Sequence, residues 1–204
     1  MNFSIVLQLL IIIAYFSLSL FDLKLSKIRS WNMLPNLSPG ESVLIQKFVK
    51  DYSIERGDIV IFTNHPTIQG AETQFISRVV GLPNDRINIK DIEILDYFYS
   101  TISINDDIIY SELIEDHYTI DLADLIPFNY EFLLFQEKYG NKYIDTIYSK
   151  NYYPDRNQKF LNYTLKEDQY FIIGDNRTDS LDSRYFGPIN KFDIIGKVLF
   201  SFEL

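Results

Sequence analysis

The chain has 204 residues, and its composition, 47% hydrophobic and 16% aromatic, is typical of a packed globular protein rather than a disordered one. A formal net charge of −9 argues against a nucleic-acid-binding surface, which needs clustered cations, and zero cysteines exclude disulfides, thiol catalysis and cysteine-ligated zinc. His65 and His117 each stand without a second histidine at a ligand spacing, so we expect neither a metal site nor a cofactor.

The first predicted element is a membrane anchor over residues 3–21. This stretch has no charged residue and consists mainly of Leu, Ile, Val and Phe. As a helix rising ~1.5 Å per residue it is just long enough to cross a hydrocarbon core of ~30 Å. A cleavable secretory signal is the competing interpretation, but the stretch lacks a basic leader and an Ala-x-Ala-like exit. We therefore predict one uncleaved transmembrane helix.

The charges beside this anchor bear on its orientation. Lys24, Lys27 and Arg29 follow the span, whereas only the α-amino group precedes it. By the positive-inside rule, that asymmetry favours a cytoplasmic location for the rest of the chain. The bias depends on only three charges.

Beyond the anchor, the sequence predicts short strands separated by turns. Strands are expected over residues 42–49, 59–63, 75–80, 86–89, 169–173 and 194–202, with turns at Arg56-Gly57-Asp58 and at Gly81-Leu82-Pro83-Asn84-Asp85. Many short strands with turn signals between them indicate a mainly β fold, a barrel or a sandwich, rather than βαβ units.

Residues 90–168 differ from the flanking sequence. They are rich in acidic residues, Tyr and Ile, and no Lys or Arg lies between Lys90 and Lys138. We predict an inserted subdomain here, with a short helix over residues 131–139. The core that carries it then comprises residues 30–89 and 169–204, within one domain over residues 22–204.

Residues 174–187 form the segment richest in closely spaced Asp, Asn, Ser and Arg. Asp and Asn side chains bind nearby backbone N–H groups, and Arg binds carboxylates in a forked geometry, so such a segment can hold itself rigid. Taken alone, this segment is typical of a well-capped surface turn.

Four segments, in this order, resemble those of type I signal peptidases, the membrane-anchored serine proteases that remove signal peptides from exported precursors. They are Asn32-Met33-Leu34-Pro35-Asn36-Leu37, Arg56-Gly57-Asp58-Ile59-Val60, Ser77-Arg78-Val79-Val80-Gly81-Leu82-Pro83-Asn84-Asp85 and residues 174–184. The resemblance implies a single-pass protein of the plasma membrane with its soluble domain on the extracytoplasmic side. We give this implication precedence over the charge bias. The insert carries no matching motif, and we expect none of its residues to take part in bond cleavage.

The resemblance also implies a chemistry. In this family a serine hydroxyl attacks the scissile carbonyl, and a lysine kept neutral by burial accepts its proton. Asn32 stands at the nucleophile position and Ser77 at the base position. A carboxamide has no ionisable hydroxyl, and a serine hydroxyl is too weakly basic to accept the proton near neutral pH. The Ser–Lys dyad is therefore absent, which leaves open whether this chain is an enzyme.

Other positions of the family pattern are retained. By the resemblance they are the oxyanion serine Ser30, the lysine-orienting hydroxyl Ser180, the ion pair Asp182 and Arg184 behind the site, and the supporting residues Arg78, Asp175 and Arg177. Trp31 replaces a small residue, so we expect the floor of the cleft to be altered or partly blocked.

Three functions remain open on the sequence. The first is a catalytically silent homologue that binds signal peptides of exported precursors, or an active homologue, at the surface of membrane lipid. The second is an active signal peptidase with displaced catalytic groups, such as Ser30 with Lys47 or Lys90, which would need contact at ~3 Å. The third is a non-enzymatic, membrane-tethered assembly factor.

Overall fold

The computed structural model describes residue 8 and residues 22–48, 52–63, 74–94, 97–119, 131–150 and 158–203. The predicted anchor over residues 3–21 lies outside these ranges, except for residue 8. Within the described ranges, no helix is both long and apolar enough to cross a membrane.

The described residues from position 22 onward form fourteen strands and two short helices. The strands are β1 (Leu23–Lys27), β2 (Ser42–Lys47), β3 (Ile59–Thr63), β4 (Gln74–Gly81), β5 (Arg86–Ile94), β6 (Tyr97–Ile104), β7 (Asp107–Ile108), β8 (Ser111–Thr119), β9 (Glu131–Tyr139), β10 (Lys142–Ser149), β11 (Asn162–Thr164), β12 (Gln169–Ile173), β13 (Ile189–Asn190) and β14 (Ile194–Phe202). The helices are α1 (Ser183–Phe186) and a 3-10 turn (Lys191–Asp193). The mainly β prediction is confirmed.

The strands are arranged in three antiparallel sheets. The largest has the order β1-β2-β14-β3-β4-β12-β13, and the others have the orders β10-β9-β8 and β11-β5-β6-β7. Strand β3 shows why the apolar runs in the sequence are continuous. Its Val60 and Phe62 pack in one hydrophobic cluster, whereas Ile61, between them, packs in another. The sheet is therefore covered on both faces at β3, which explains why apolar residues follow one another without alternation in this strand.

The helix predicted over residues 131–139 is wrong, because these residues form strand β9. Strand β9 pairs along its length with β10 through the two-residue turn Gly140-Asn141, where Gly140 has a φ of +63°. It also pairs with β8 on its other side. A short apolar run is ambiguous between helix and strand, and pairing on both sides decides the outcome here.

The predicted insert and core share one hydrophobic cluster. The boundary predicted at residues 89 and 90 falls inside β5, which pairs with β6 and β11. The cluster includes Val80, Ile87, Phe171 and Ile173 from the predicted core and Ile102, Ile104, Tyr139 and Ile144 from the predicted insert. Described residues of the predicted insert are thus packed into the same interior as strands that carry the site.

Candidate active site

The segment that follows β1 holds Asn32 in a fixed position. Met33 and Leu37 are buried in the cluster beneath β2 and β3, and Leu37 N–H donates to the carbonyl of Met33 at 2.9 Å. Buried apolar side chains therefore anchor the turn from within. Asn32 is left half-buried and Ser30 exposed at its surface.

The carboxamide of Asn32, at the predicted nucleophile position, makes two hydrogen bonds. Ser30 Oγ donates to Asn32 Oδ1 at 2.6 Å, and Asn32 Nδ2 donates to the backbone carbonyl of Ile76 on β4 at 2.7 Å. The backbone carbonyl of Asn32 also accepts from Asn176 N–H at 3.0 Å. The structure thus brings together the predicted nucleophile position, the predicted oxyanion serine and the segment that precedes Arg177.

The predicted base position, Ser77, follows Ile76 on β4. Its hydroxyl is buried without a hydrogen-bond partner among the described residues, and the hydroxyl of Ser180 is in the same state. Within the described ranges, no hydrogen bond joins a lysine amine to Ser30, Ser77 or Ser180. Several described lysine amines bind other groups: Lys24 donates to Gln74, and Lys142 and Lys197 donate to Asp58.

Trp31, which replaces a small residue of the family pattern, packs towards the predicted insert. Its side chain lies against the cluster formed by Leu34, Phe132 and Ile147. Phe132 and Ile147 belong to β9 and β10. The indole therefore joins the Asn32 segment to the β8–β10 sheet.

Gly174 brings the loop over residues 174–187 against Asn32. A Cβ atom at Gly174 would lie 2.2 Å from Ser180 Oγ and 2.6 Å from the carbonyl oxygen of Asn32. Real Cβ atoms do not approach other atoms so closely, so only glycine permits this packing. Ser180 is thereby held beside the Asn32 segment.

Asp182 and Arg184, the predicted ion pair, form a buried pair that also caps α1. Asp182 Oδ1 accepts from Arg184 Nε and Asp182 Oδ2 from Arg184 Nη2, both at 2.8 Å. The same carboxylate accepts backbone N–H groups of Gly174 and Arg184. Burial alone would lower the pKa of Arg184, but the charge of Asp182 and its hydrogen bond to Arg184 together raise that pKa above its ordinary value.

A second buried pair joins β4 to the loop. Arg78 Nε and Nη2 donate to the two oxygens of Asp175 at 2.7 and 2.6 Å, and Arg78 Nη1 donates to the carbonyl of Gly57. Asn36 Nδ2 adds a hydrogen bond to Asp175 and another to the carbonyl of Asp145 on β10. This pair therefore connects β4, the Asn32 segment and the predicted insert.

Arg177 has a carboxylate partner that the sequence analysis missed. Its Nη2 donates to Glu137 on β9 at 2.5 Å, and the phenol of Tyr139 donates to the same carboxylate at 2.5 Å. Burial raises the pKa of Tyr139 well above its ordinary value, and the charge of Glu137 adds to that shift. If residues 131–139 are interpreted as a strand, Glu137 is expected to be a buried charge that needs a partner. The helix prediction gave no reason to expect Glu137 in the interior.

Strand β10 is hydrogen-bonded directly to the loop. Ile147 N–H donates to the carbonyl of Asp175 at 3.0 Å, and Arg177 N–H donates to the carbonyl of Ile147 at 2.9 Å. One isolated parallel β-bridge, between Ile147 and Asn176, thus joins the loop to the outer edge of β10. The predicted insert supports the site through its backbone as well as through Glu137.

The candidate site lies beside a cleft between β1 and β4. A cavity of about 130 Å³ is lined by Lys24 of β1, Gln74 of β4, Ile45 and Lys47 of β2 and Ile195 of β14. Lys24 Nζ donates to Gln74 Oε1 across it at 3.3 Å. Ile76, whose carbonyl binds Asn32, lies two residues along β4 from Gln74.

Part of the β4 edge that borders this cleft has no partner strand among the described residues. Strand β12 ends at Ile173, opposite Arg78, so Gln74 to Ser77 are unpaired on that side within the described part of the chain. Val79 exchanges hydrogen bonds with Gly57 and Asp58, on the β3 side. Because peptide groups alternate along an antiparallel strand, those of Ile76 and Gln74 point away from β3, towards the cleft.

Comparisons with known proteins identify relatives of this chain. The profile of the family described as signal peptidase, peptidase S26, matches residues 2–203. The chain is 30% identical to a signal peptidase I of Buchnera aphidicola, covering 93% of this chain and 73% of that protein. It is 27% identical to a signal peptidase IB of Staphylococcus aureus, covering 86% and 75%. A crystal structure of a signal peptidase I from Enterococcus faecalis has 24% identity and a TM-score of 0.38, covering 74% of this chain and 100% of that one.

Proposed function

Because this chain belongs to the signal peptidase family, peptidase S26, we propose that it acts in signal peptide processing as a member that binds precursor peptides without cutting them. Its relatives carry the names signal peptidase I and IB.

The hydrogen bonding of Asn32 is the observation that carries this proposal. Acyl transfer needs a hydroxyl or thiol nucleophile and a base that accepts its proton. The hydroxyl of Ser30 lies beside Asn32, but its hydrogen-bond acceptor is the amide oxygen of Asn32. An amide oxygen is a very weak base and does not remove the proton. The buried hydroxyls of Ser77 and Ser180 have no hydrogen-bond partner, a lysine amine included, among the residues that the structure describes.

The proposed ligand is an extended peptide added to the β4 edge. An added strand gains its affinity from main-chain hydrogen bonds and its specificity from pockets that take alternate side chains. The part of the β4 edge that is unpaired among the described residues can supply the main-chain hydrogen bonds. The small cavity lined by Ile45 and Ile195 is a suitable pocket for a side chain. A cavity of this size fits small side chains, such as those of an Ala-x-Ala site.

The proposal includes a place in the cell. We propose that residues 3–21 anchor the protein in the plasma membrane, with residues 22–204 on the extracytoplasmic side, where exported precursors emerge. Strand β1, which borders the cleft, begins at Leu23. That short separation would hold the cleft close to the lipid surface.

Cleavage is tested by incubating the purified full-length protein in detergent with a precursor that carries an Ala-x-Ala site. We expect no cleavage by the native protein. Cleavage gained by the Asn32→Ser, Ser77→Lys double variant would show that only the reacting groups are missing. Cleavage by the native protein that is lost in Ser30→Ala would instead establish an active enzyme with displaced catalytic groups.

Binding and orientation are tested together by crosslinking in intact spheroplasts with a membrane-impermeant reagent. We expect precursors to be captured without lysis. Capture only after lysis would place the domain in the cytoplasm. No capture under either condition, with the protein present in the membrane, would favour the non-enzymatic assembly factor.

A further inference from the structure

Asn32 occupies a hydrogen-bonding position that an added peptide strand would need. The carbonyl of Ile76 points away from β3, along the unpaired edge of β4. An antiparallel or parallel neighbour would place a backbone N–H on that oxygen at about 2.9 Å. Asn32 Nδ2 already donates to it at 2.7 Å. The side-chain amide therefore takes the place of a strand's peptide N–H.

The carboxamide is fixed in this orientation by its neighbours. Ser30 Oγ donates to Oδ1 at 2.6 Å, which leaves Nδ2 facing β4. The backbone of Asn32 is fixed by the hydrogen bond from Asn176 N–H and by the burial of Met33. The surrounding structure therefore already orders the Asn32 side chain, and its hydrogen bond to Ile76 costs no further conformational entropy.

We propose that the Asn32 carboxamide is a built-in competitor for the peptide site, so that a peptide binds along β4 only by displacing Nδ2 from the Ile76 carbonyl. This inference rests on the proposed peptide-binding function and adds a determinant of affinity to it. The residue at the nucleophile position then has a role of its own: it weakens binding and favours release of an uncut peptide. Asn32 acts here as a specificity-determining residue, since peptides that bond poorly to β4 cannot displace it.

The test compares the native protein with Asn32→Ala and Asn32→Asp. Alanine removes the whole carboxamide, whereas aspartate keeps its shape and its acceptor for Ser30 but cannot donate to the Ile76 carbonyl. The probe is an uncharged, tryptophan-free synthetic peptide ending in Ala-x-Ala, and binding is followed by the fluorescence of Trp31, the only tryptophan. In both variants the peptide no longer has to replace the hydrogen bond from Asn32 Nδ2 to the Ile76 carbonyl. We therefore expect both variants to bind the peptide about five- to tenfold more tightly than the native protein does.

A second measurement follows the amide itself. In the full-length protein in micelles, the Asn32 side-chain NH₂ signals, assigned by their loss in Asn32→Asp, should move on addition of the peptide. A matched control is Asn190→Ala, which removes an exposed carboxamide bonded to Asp193 and should leave the affinity unchanged.

The outcomes separate this inference from the function on which it rests. Native protein that binds as tightly as both variants, or more tightly, with stationary Asn32 NH₂ signals, would overturn the competitor while leaving peptide binding intact. Absence of peptide binding by all three proteins would overturn the peptide-binding function and the competitor with it.

Discussion

The two sides of the candidate site differ in whether their buried charges and hydroxyls have partners. On the loop side, three buried arginines each have a carboxylate partner, in the pairs Arg78–Asp175, Arg177–Glu137 and Arg184–Asp182. On the side that faces Asn32, the buried hydroxyls of Ser77 on β4 and of Ser180, the loop residue beside the Asn32 segment, have no partner among the described residues. An unpaired buried charge costs several kcal/mol, whereas an unpaired hydroxyl costs about 1–3 kcal/mol. Folding alone therefore requires the loop pairs but tolerates the unpaired hydroxyls.

This difference explains why the motif over residues 174–184 is no sign of catalysis by itself. Its Asp175, Arg177, Asp182 and Arg184 are all buried, and the loss of any one of them would leave a charge unpaired. Stability thus keeps these residues in place whether or not the protein cuts peptides. Function has to be inferred from the positions that stability leaves free to change, such as Asn32 and Ser77.

The largest expected effect comes from breaking a loop pair. Asp182→Ala leaves the buried guanidinium of Arg184 unpaired and removes the acceptor of Gly174 N–H. We expect a loss of about 3–5 kcal/mol in the free energy of unfolding. Urea denaturation of the full-length protein in detergent, followed by the fluorescence of Trp31, measures it.

An exposed ion pair provides the control for this substitution. Arg86 and Asp106 are paired on the surface, with side chains 52% and 80% exposed. Asp106→Ala should cost at most about 1 kcal/mol, because solvent screens exposed pairs. If both substitutions cost the same, the loop pairs are not what holds this side of the site together.

An intermediate effect is expected from pH, through the Arg177–Glu137 cluster. Burial raises the pKa of Tyr139 well above its ordinary value near 10. Between these two pKa values the unfolded chain loses the proton and the folded protein keeps it. Stability from this group is therefore complete below about pH 10 and falls as the pH rises, by about 1.4 kcal/mol for each pH unit.

Tyr139→Phe isolates this contribution. The variant lacks the titrating phenol, so its free energy of unfolding should fall less steeply above about pH 10. The two slopes should differ by the contribution of one proton, about 1.4 kcal/mol for each pH unit. At neutral pH it should be less stable than the native protein, because the hydrogen bond to Glu137 is lost. Unfolding free energies measured between neutral pH and about pH 11 give both quantities. Parallel curves for the two proteins would mean that Tyr139 ionises as freely in the fold as outside it.

The local part of the fold could be predicted from the sequence. Strands β3, β12 and β14 were expected at their observed bounds, because apolar runs bounded by Gly, Pro and Asp are local signals. The residues of the candidate site could also be named from the order of the four segments. Their roles in chemistry stay predictions.

What the sequence could not supply are contacts between distant residues. The Asn32–Ile76 bond joins positions 44 residues apart, and the Arg177–Glu137 pair joins positions 40 residues apart. In each pair, the sequence around one residue contains no signal that identifies the other. Glu137 was hidden further because a short apolar run with charged ends was interpreted as a helix, whereas pairing with β8 and β10 makes it a strand.

The smallest effect, and the one with the opposite sign, is expected on the side of the predicted reacting groups. Ser77→Ala removes a buried hydroxyl that has no hydrogen-bond partner in the described part of the chain, so the variant should be as stable as the native protein or more stable by about 1 kcal/mol. Ser183 is the matched control, since its buried hydroxyl accepts from Ile172 N–H at 3.0 Å. Ser183→Ala should destabilise the protein by about 1–3 kcal/mol, because that N–H is then buried without a partner. Thermal unfolding of the two variants side by side decides the point. A loss of stability in Ser77→Ala as large as that in Ser183→Ala would mean that the Ser77 hydroxyl has a partner, and the contrast between the two sides of the site would disappear.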